Sequence, residues 1–157
     1  MLGKITEITE IFNVGIGNRF PTNGKDGGRL GVVQMLNSFC GGSSMDGYKI
    51  TTENHIIHVL IDNGQSCCES WGYFSSEDDM QPFIGSELLE IKLTDTALNQ
   101  EAFKKSDYYN DAGGIQFVDF ITDKGTFQLA VYNAHNGYYG HGIIVAKDEE
   151  ILCNDTL

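Results

Sequence analysis

The 157-residue sequence has no apolar run near the roughly 20 residues that a helix needs to cross a bilayer. Its first residues, Met1–Glu7, also lack the apolar core of a signal peptide. We therefore expect a soluble protein of the cytosol. The cysteines Cys40, Cys67, Cys68 and Cys153 do not have the spacing of a disulfide framework, so thiols in a reducing compartment are expected.

Motifs that would identify an enzyme or a metal site are also missing. Cys67 and Cys68 have no second Cys or His pair at a zinc-binding spacing, and on a strand they would point to opposite faces. An EF-hand loop is absent. Cys68 could act as a nucleophile only if the fold brought it a base such as His135 or His141. We expect no catalytic residue, metal or cofactor, and an enzyme that uses Cys68 remains a third alternative.

The four histidines are interpreted as structural or solvated residues. His55 and His58 lie three apart in an apolar strand, hence on opposite faces, so at least one should be a buried structural histidine. His135 and His141 flank a tight turn, where histidines are usually solvated.

Basic residues are scarce. Ten Lys and Arg stand against 22 Asp and Glu, which gives a formal net charge of −12. Residues 1–53 hold five residues of each sign, so the whole acidic surplus lies from residue 54 onward. Such a surface repels nucleic-acid phosphates and attracts basic proteins. Ordinary solubility would also explain it.

Turn signals and short apolar runs predict β-strands in the first half of the chain. Lys4–Phe12 is predicted as a strand, although its apolar spacing would also suit a short amphipathic helix. Strands are then predicted at Tyr48–Thr51 and His55–Ile61. Asp62–Gly64 is a hairpin signal into Gln65–Phe74, and the strands together form a meander.

The middle of the chain predicts a helix, a strand and a loop. Ser75 or Ser76 can cap a short helix that has the carboxylates of Glu77–Asp79 in its first turn. Glu87–Thr94 alternates polar and apolar residues, which predicts a half-buried strand with its apolar residues on one face. Residues 95–114 are predicted to be an exposed loop.

The last third predicts three antiparallel strands, Ile115–Thr122, Thr126–Asn133 and Tyr138–Ala146. Turns at Asp123–Gly125 and His135–Gly137 would join them, the second as a type I′ turn. The predicted fold is a single mostly β (α+β) domain, an antiparallel meander sheet or partly open barrel with one or two short helices. Its parts would be a glycine-rich excursion at 13–47, a β core at 48–146, and an acidic, loosely held tail at 147–157.

The glycine-rich excursion is a candidate binding loop because long loops are uncommon in compact domains unless they bind something. One strand is predicted inside it, at Leu30–Leu36. The segment Gly24–Arg29 could cradle a phosphate through backbone amides, but it has neither a P-loop nor a dinucleotide-binding motif. A flexible loop is the alternative. The candidate anion-binding residues are Arg19, Lys25 and Arg29.

Several short motifs are spread over residues 48–146. They are Cys67-Cys68-Glu69, Asp78-Asp79, Ile84-Gly85-Ser86, Thr122-Asp123-Lys124-Gly125 and Asn136-Gly137-Tyr138-Tyr139. Together they resemble a family of small uncharacterised proteins found in phages, prophages and their bacterial hosts. The excursion at 13–47 departs from the short members of that family. The resemblance implies a compact, mostly β domain of mobile-element origin and transfers no catalytic residue.

Small acidic phage-type proteins without catalytic signatures often inhibit bacterial defence. The resemblance and the charge therefore suggest an anti-CRISPR-like inhibitor in the host cytosol, which binds a basic nucleic-acid-binding surface of a host effector and no nucleic acid directly. Carboxylates would steer the encounter and aromatic side chains would anchor the complex. The predicted partner-binding residues are Glu69, Trp71, Tyr73, Glu77, Asp78, Asp79, Glu87, Glu90, Tyr108 and Tyr109, with Asp95 on the same acidic surface.

The alternative hypothesis is a small-molecule binder that sequesters a nucleotide immune signal. Arg19, Lys25 and Arg29 would then hold phosphate groups while aromatic rings stack on the base. The sequence leaves the target and the oligomeric state open.

Overall fold

A computed structural model describes residues 1–15, 44–65, 68–109 and 112–157. These residues form two antiparallel sheets, one of five strands and one of four, so the predicted mostly β class is confirmed. Both sheets are open, and the described strands do not close into a barrel. None of the helices in these ranges has the length and apolar character needed to cross a membrane.

Nine strands and two short helical segments make up the described elements. The five-stranded sheet has the order β1-β2-β3-β8-β9 and the four-stranded sheet the order β4-β7-β6-β5. A 3₁₀ turn at Gln81–Phe83 and helix α1 (Gln100–Lys105) lie in the connections. The strands are β1 (Ile5–Gly15), β2 (Ser44–Thr52), β3 (Ile56–Asp62), β4 (Ser70–Ser75), β5 (Leu88–Thr94), β6 (Gly114–Thr122), β7 (Gly125–Ala134), β8 (Gly142–Lys147) and β9 (Glu150–Thr156).

The main core consists of apolar side chains from both sheets. Phe120 on β6 and Phe127 on β7 are fully buried and stack with their ring centroids 4.9 Å apart. They belong to one cluster with Ile57 and Val59 of β3. Burial of a side chain of this size contributes about 1.5–3 kcal/mol. This shared core is what fixes the positions of the strand edges.

The strand prediction for Lys4–Phe12 is confirmed by β1, and the predicted strands on either side of residues 52–54 are confirmed by β2 and β3. The hairpin predicted at Asp62–Gly64 is wrong. Because all residues of β3 from Ile56 to Ile61 are buried, β3 is a central strand that pairs with β2 on one side and β8 on the other. The chain then crosses to the other sheet, where β4 pairs with β7.

The hairpin of β6 and β7 is confirmed, with Thr122 opposite Gly125. The second predicted hairpin is wrong, because β8 leaves for the other sheet and pairs with β3. Among the described non-glycine residues, positive φ angles occur at Asn13 and Asp148, so Asn136 does not adopt the type I′ conformation that we predicted.

Three local predictions in the middle and at the end of the chain are also wrong. No helix starts at Ser75 or Ser76, because the Ser76 N–H donates to the Gln128 carbonyl and continues the β4–β7 ladder. Residues 95–114 are not all loop, because the Asn99 side chain accepts from two backbone N–H groups and caps α1. The tail is not loose, since β9 pairs with β8.

Strand β5 confirms the predicted strand but not its predicted buried face. Leu88 is fully buried, whereas Leu89 and Leu93, expected on the buried side, are 43% and 39% exposed. An irregularity between Leu88 and Glu90 shifts the register by one residue and exchanges the faces there, and β5 lies at a sheet edge. Residues 13–15 and 44–47 of the excursion belong to β1 and β2, and the strand predicted at Leu30–Leu36 lies outside the described residues.

Candidate functional site

A cleft of about 560 Å³ lies between β1 and β4, and we call it the β1–β4 cleft. Both strands are edge strands of their sheets in the described part of the chain. The consecutive residues Ile8–Glu10 of β1 and Tyr73–Ser75 of β4 all line it. Because successive side chains of a strand point to opposite faces, three in a row can line one cleft only where the edge of the strand faces it. The cleft therefore runs between two strand edges.

The charged residues of the β1–β4 cleft are mostly acidic. Among the described residues, four exposed carboxylates, those of Glu10, Glu77, Asp78 and Asp107, line it together with a single ammonium group, that of Lys105. None of these five side chains belongs to an ion pair within the described residues. The carboxylates thus give the cleft a negative potential that would attract a cationic group.

Two tyrosines form one wall of the cleft. The rings of Tyr48 and Tyr73 meet edge to face with centroids 5.2 Å apart, and the Tyr73 hydroxyl donates to Glu10 Oε2 at 3.1 Å. Burial raises the pKa of Tyr73, and the hydrogen bond to Glu10 raises it further. Burial, and then the charge of Glu10, also raises the pKa of Tyr48. Both phenols therefore stay neutral, so the cleft wall is aromatic without adding negative charge.

A third tyrosine reaches the cleft by lying across β4. Tyr132 is opposite Gly72, and a Cβ atom at Gly72 would be only 2.6 Å from the Tyr132 hydroxyl oxygen and 2.8 Å from its Cζ. No side chain fits between this ring and the β4 backbone. Because Gly72 has no side chain, the Tyr132 ring can cover the strand and line the cleft, with its centroid 6.0 Å from that of the Phe74 ring.

The hydrogen-bonding direction of each β4 residue follows from the ladder with β7. The Ser76 N–H donates to the Gln128 carbonyl at 2.8 Å, so the backbone groups of Ser76 point towards β7. The direction alternates along an antiparallel strand. The backbone N–H and C=O groups of Phe74 and Gly72 therefore also point towards β7. Those of Ser75 and Tyr73 point away from β7 and into the cleft.

The two ends of β4 differ. We call its start the closed end, because Glu69 is buried there, and its other end the open end, because Glu77 and Asp78 line the β1–β4 cleft there. The Glu69 carboxylate, predicted to be on a binding surface, is buried, and its Oε1 lies 3.2 Å from His141 Nε2. His141 Nδ1 lies 2.6 Å from the Asp62 carbonyl oxygen, which can only accept, so Nδ1 carries a proton. The half-buried Trp71 ring stacks on His141 with centroids 5.6 Å apart. The predicted exposure of Trp71 is therefore wrong, and the Glu69 carboxylate does not lie on an accessible surface.

The structure brings together three of the predicted binding residues, since Tyr73, Glu77 and Asp78 all line the cleft. Tyr73 and Tyr108 are not exposed as predicted, because both are half-buried, and the Tyr108 ring centroid lies 6.1 Å from that of Tyr132. Among the lining residues that were missed, four are acidic residues or tyrosines, and no local pattern links them. Besides Glu69, Trp71 and Tyr108, the predicted residues outside the cleft are Asp79, Glu87, Glu90 and Tyr109, with Asp95. The four missed acidic and tyrosine residues are Glu10, Tyr48, Asp107 and Tyr132.

The histidines are mostly structural. His58 is buried, which confirms the prediction for one member of its pair, and His55 Nδ1 lies 2.5 Å from Asp148 Oδ2. The expectation of solvated histidines at the turn is wrong. His135 is buried with its Nδ1 accepting from the Gly137 N–H at 2.9 Å, and His141 is buried as described above.

The other candidate sites are a metal site, a Cys68 nucleophile and an anion-binding loop. In the described ranges no three His, Cys, Asp or Glu side chains could hold a metal ion together. Cys68 is exposed and precedes β4 instead of lying within it. Cys67 and the predicted anion-binding residues Arg19, Lys25 and Arg29 lie outside the described residues. The nucleotide-binding alternative, which depends on those three residues, stays a prediction.

The fold and the cleft define a two-sheet antiparallel β protein with an acidic, aromatic cleft between two strand edges. The chain belongs to the family described as Domain of unknown function (DUF7448), which matches residues 1–145. That match includes residues 13–47, which the predicted resemblance had left out. Searches of curated proteins and of solved structures find no match.

Proposed function

We propose that this protein is a non-catalytic, acidic binding protein that takes a basic segment of another protein into the β1–β4 cleft. The partner surface would be the nucleic-acid-binding surface of a host defence protein in a bacterial cytosol, as for an anti-CRISPR inhibitor. The observation that carries the proposal is the set of four cleft carboxylates, accompanied by one lysine among the described lining residues. A lysine- and arginine-rich surface that binds nucleic-acid phosphates is the natural counterpart of such a cleft.

The net charge of −12 supports the same partner chemistry. Complementary charge speeds encounter, and the aromatic walls supplied by Tyr48, Tyr73 and Tyr132 suit the alkyl stems and the cationic heads of Arg and Lys side chains. A phosphate-bearing ligand is disfavoured at this site, because it would meet four carboxylates of its own sign.

The proposal is tested by affinity capture from bacterial lysate at low and high salt, followed by binding measurements with the purified partner. The test variant is Glu77→Gln/Asp78→Asn, which removes two cleft charges. Its matched control is Glu90→Gln/Glu149→Gln, which removes two exposed charges outside the cleft. We expect the cleft variant to lose about tenfold or more in affinity and the control to lose much less, because only nearby charges escape screening.

Two results would count against this function. Binding of the captured partner that does not weaken with salt would contradict a charge-driven interface. Equal losses for the two double variants would show that overall charge, not the cleft, determines binding. A larger loss for the control would move the interface to the surface that contains Glu90, one of the residues predicted from the sequence.

A further inference from the structure

We infer that the partner segment binds as an added β-strand, paired through its backbone with the outer edge of β4. This inference rests on the proposed function for the charge of the occupant, and it adds the mode of recognition. It commits to an extended basic segment of a different protein, with Lys or Arg at alternate positions.

The outer edge of β4 has backbone N–H and C=O groups with which such a strand could form hydrogen bonds. The N–H and C=O groups of Tyr73 and Ser75 point into the cleft, and no other described residue hydrogen-bonds to them. An exposed strand edge of this kind is what extended peptides pair with when they extend a sheet. The exposed edge coincides with a concavity, so an incoming strand would find side-chain contacts as well as backbone partners.

The walls of the cleft determine which side chains the added strand would carry. Alternate side chains of that strand would point to the two faces of the four-stranded sheet. One face offers Tyr73 with the carboxylate of Glu10 beside it, and the other offers Phe74 and Tyr132. Aromatic rings with a carboxylate beside them bind guanidinium and ammonium groups, so the face with Tyr73 and Glu10 suits basic side chains, whereas the face with Phe74 and Tyr132 suits apolar ones.

A second copy of this chain is a poorer occupant than a basic segment. Edge-to-edge pairing of two copies would bring two sets of cleft carboxylates together, and in the part of the chain that the structure describes each set is offset by one lysine. Like charges held close across an interface oppose association. Self-association through β4 is therefore an outcome that would overturn the inference.

The experiment begins with a displayed library of random nine-residue peptides, selected for binding to the full-length protein. We expect enriched peptides to carry Lys or Arg at alternate positions. Amide hydrogen exchange is then compared with and without an enriched peptide. The amides of Tyr73 and Ser75 should slow by about tenfold or more, while those of Gly72 and Phe74, already bonded within the sheet, change little and serve as internal references.

A pair of variants at one position separates the backbone from the side chain. Ser75→Pro removes an N–H that points into the cleft and leaves the β4–β7 ladder intact, since proline is tolerated at such edge positions. Ser75→Ala keeps that N–H and loses the same side-chain contacts, to Met80 Sδ and the Glu77 N–H. Loss of one hydrogen bond should weaken peptide binding by about tenfold in Ser75→Pro and leave Ser75→Ala close to the natural protein.

Several outcomes overturn the inference. No enrichment, or enriched peptides without an excess of Lys and Arg, would do so, and so would self-association that Ser75→Pro abolishes. If peptides bind and need Glu77 and Asp78, yet the Tyr73 and Ser75 amides keep their exchange rates, strand addition is wrong and the proposed function stands. If Ser75→Pro does not fold, the exchange measurement on the natural sequence decides alone.

Discussion

The two ends of β4 show how differently one short stretch of chain can use its carboxylates. At the start, Glu69 is buried against His141 beneath Trp71, and this contact joins the two sheets. At the end, Glu77 and Asp78 remain exposed on the rim of a cleft. A buried carboxylate is paired because desolvation is costly, whereas an exposed one stays available for a partner. The first therefore serves the fold, and the others are free to serve binding.

The largest expected effect comes from breaking the closed end. Glu69→Ala leaves His141 buried opposite an empty site, and loss of one member of a buried pair costs about 3–5 kcal/mol. The matched substitution at the open end, Glu77→Ala, should change the free energy of unfolding by no more than about 0.5 kcal/mol. Urea unfolding of both variants, followed by far-UV circular dichroism, measures the difference.

Similar costs for the two substitutions would remove the distinction between the ends of β4. Glu69→Gln refines the test, since it keeps the shape of the side chain and one oxygen acceptor. We expect it to be less destabilising than Glu69→Ala, because the introduced side-chain amide can still hydrogen-bond to the imidazole of His141.

A smaller effect is expected between the two ends, at Gly72. An added methyl group in Gly72→Ala would collide with the Tyr132 ring, which must move, and overpacking of this kind costs about 1–3 kcal/mol. The test is a double-mutant cycle with Tyr132→Leu, in which the ring is absent. There the cost of Gly72→Ala should largely disappear. A cost that persists in the Tyr132→Leu background would show that the glycine is needed for a reason other than the ring.

The sequence could predict the fold where the signal was local. The Asp123–Gly125 turn and the apolar alternation beside it predicted the β6–β7 hairpin. The partner of β3 could not be predicted in this way, because β8 lies far along the chain and any apolar strand would have satisfied the pattern. A local turn signal such as Asp62–Gly64 is equally consistent with a hairpin and with a connection that crosses to the other sheet.

The candidate site divides in the same manner. Glu77 and Asp78 could be predicted as exposed from local composition. The burial of Glu69 could not, because its partner His141 is 72 residues away in the sequence. Glu10 and Asp107 reach the cleft only because the shared core fixes the edges of β1 and β4. Residues that meet through tertiary packing leave no spacing pattern in a single sequence.

The smallest expected effect concerns the contact that crosses the open end, from the Tyr73 hydroxyl to Glu10. Tyr73→Phe removes this hydrogen bond, which is partly exposed to water, and should cost about 0.5–1 kcal/mol below pH 10.0, the ordinary tyrosine pKa. Because the pKa of Tyr73 is raised in the folded protein, the unfolded chain ionises first as the pH rises. The natural protein then loses stability that Tyr73→Phe cannot lose. The gap between the two, meaning the difference between their free energies of unfolding, should therefore shrink above pH 10.0.

Urea unfolding of the natural protein and of Tyr73→Phe, below and above pH 10.0, measures this gap. The other tyrosines are common to both proteins, so their ionisation largely cancels in the comparison. A gap that stays constant or widens with pH would contradict a raised pKa of Tyr73 in the folded protein. The absence of any gap below pH 10.0 would mean that the hydrogen bond from Tyr73 to Glu10 contributes no stability, so that β1 and β4 are held in place by the shared core alone.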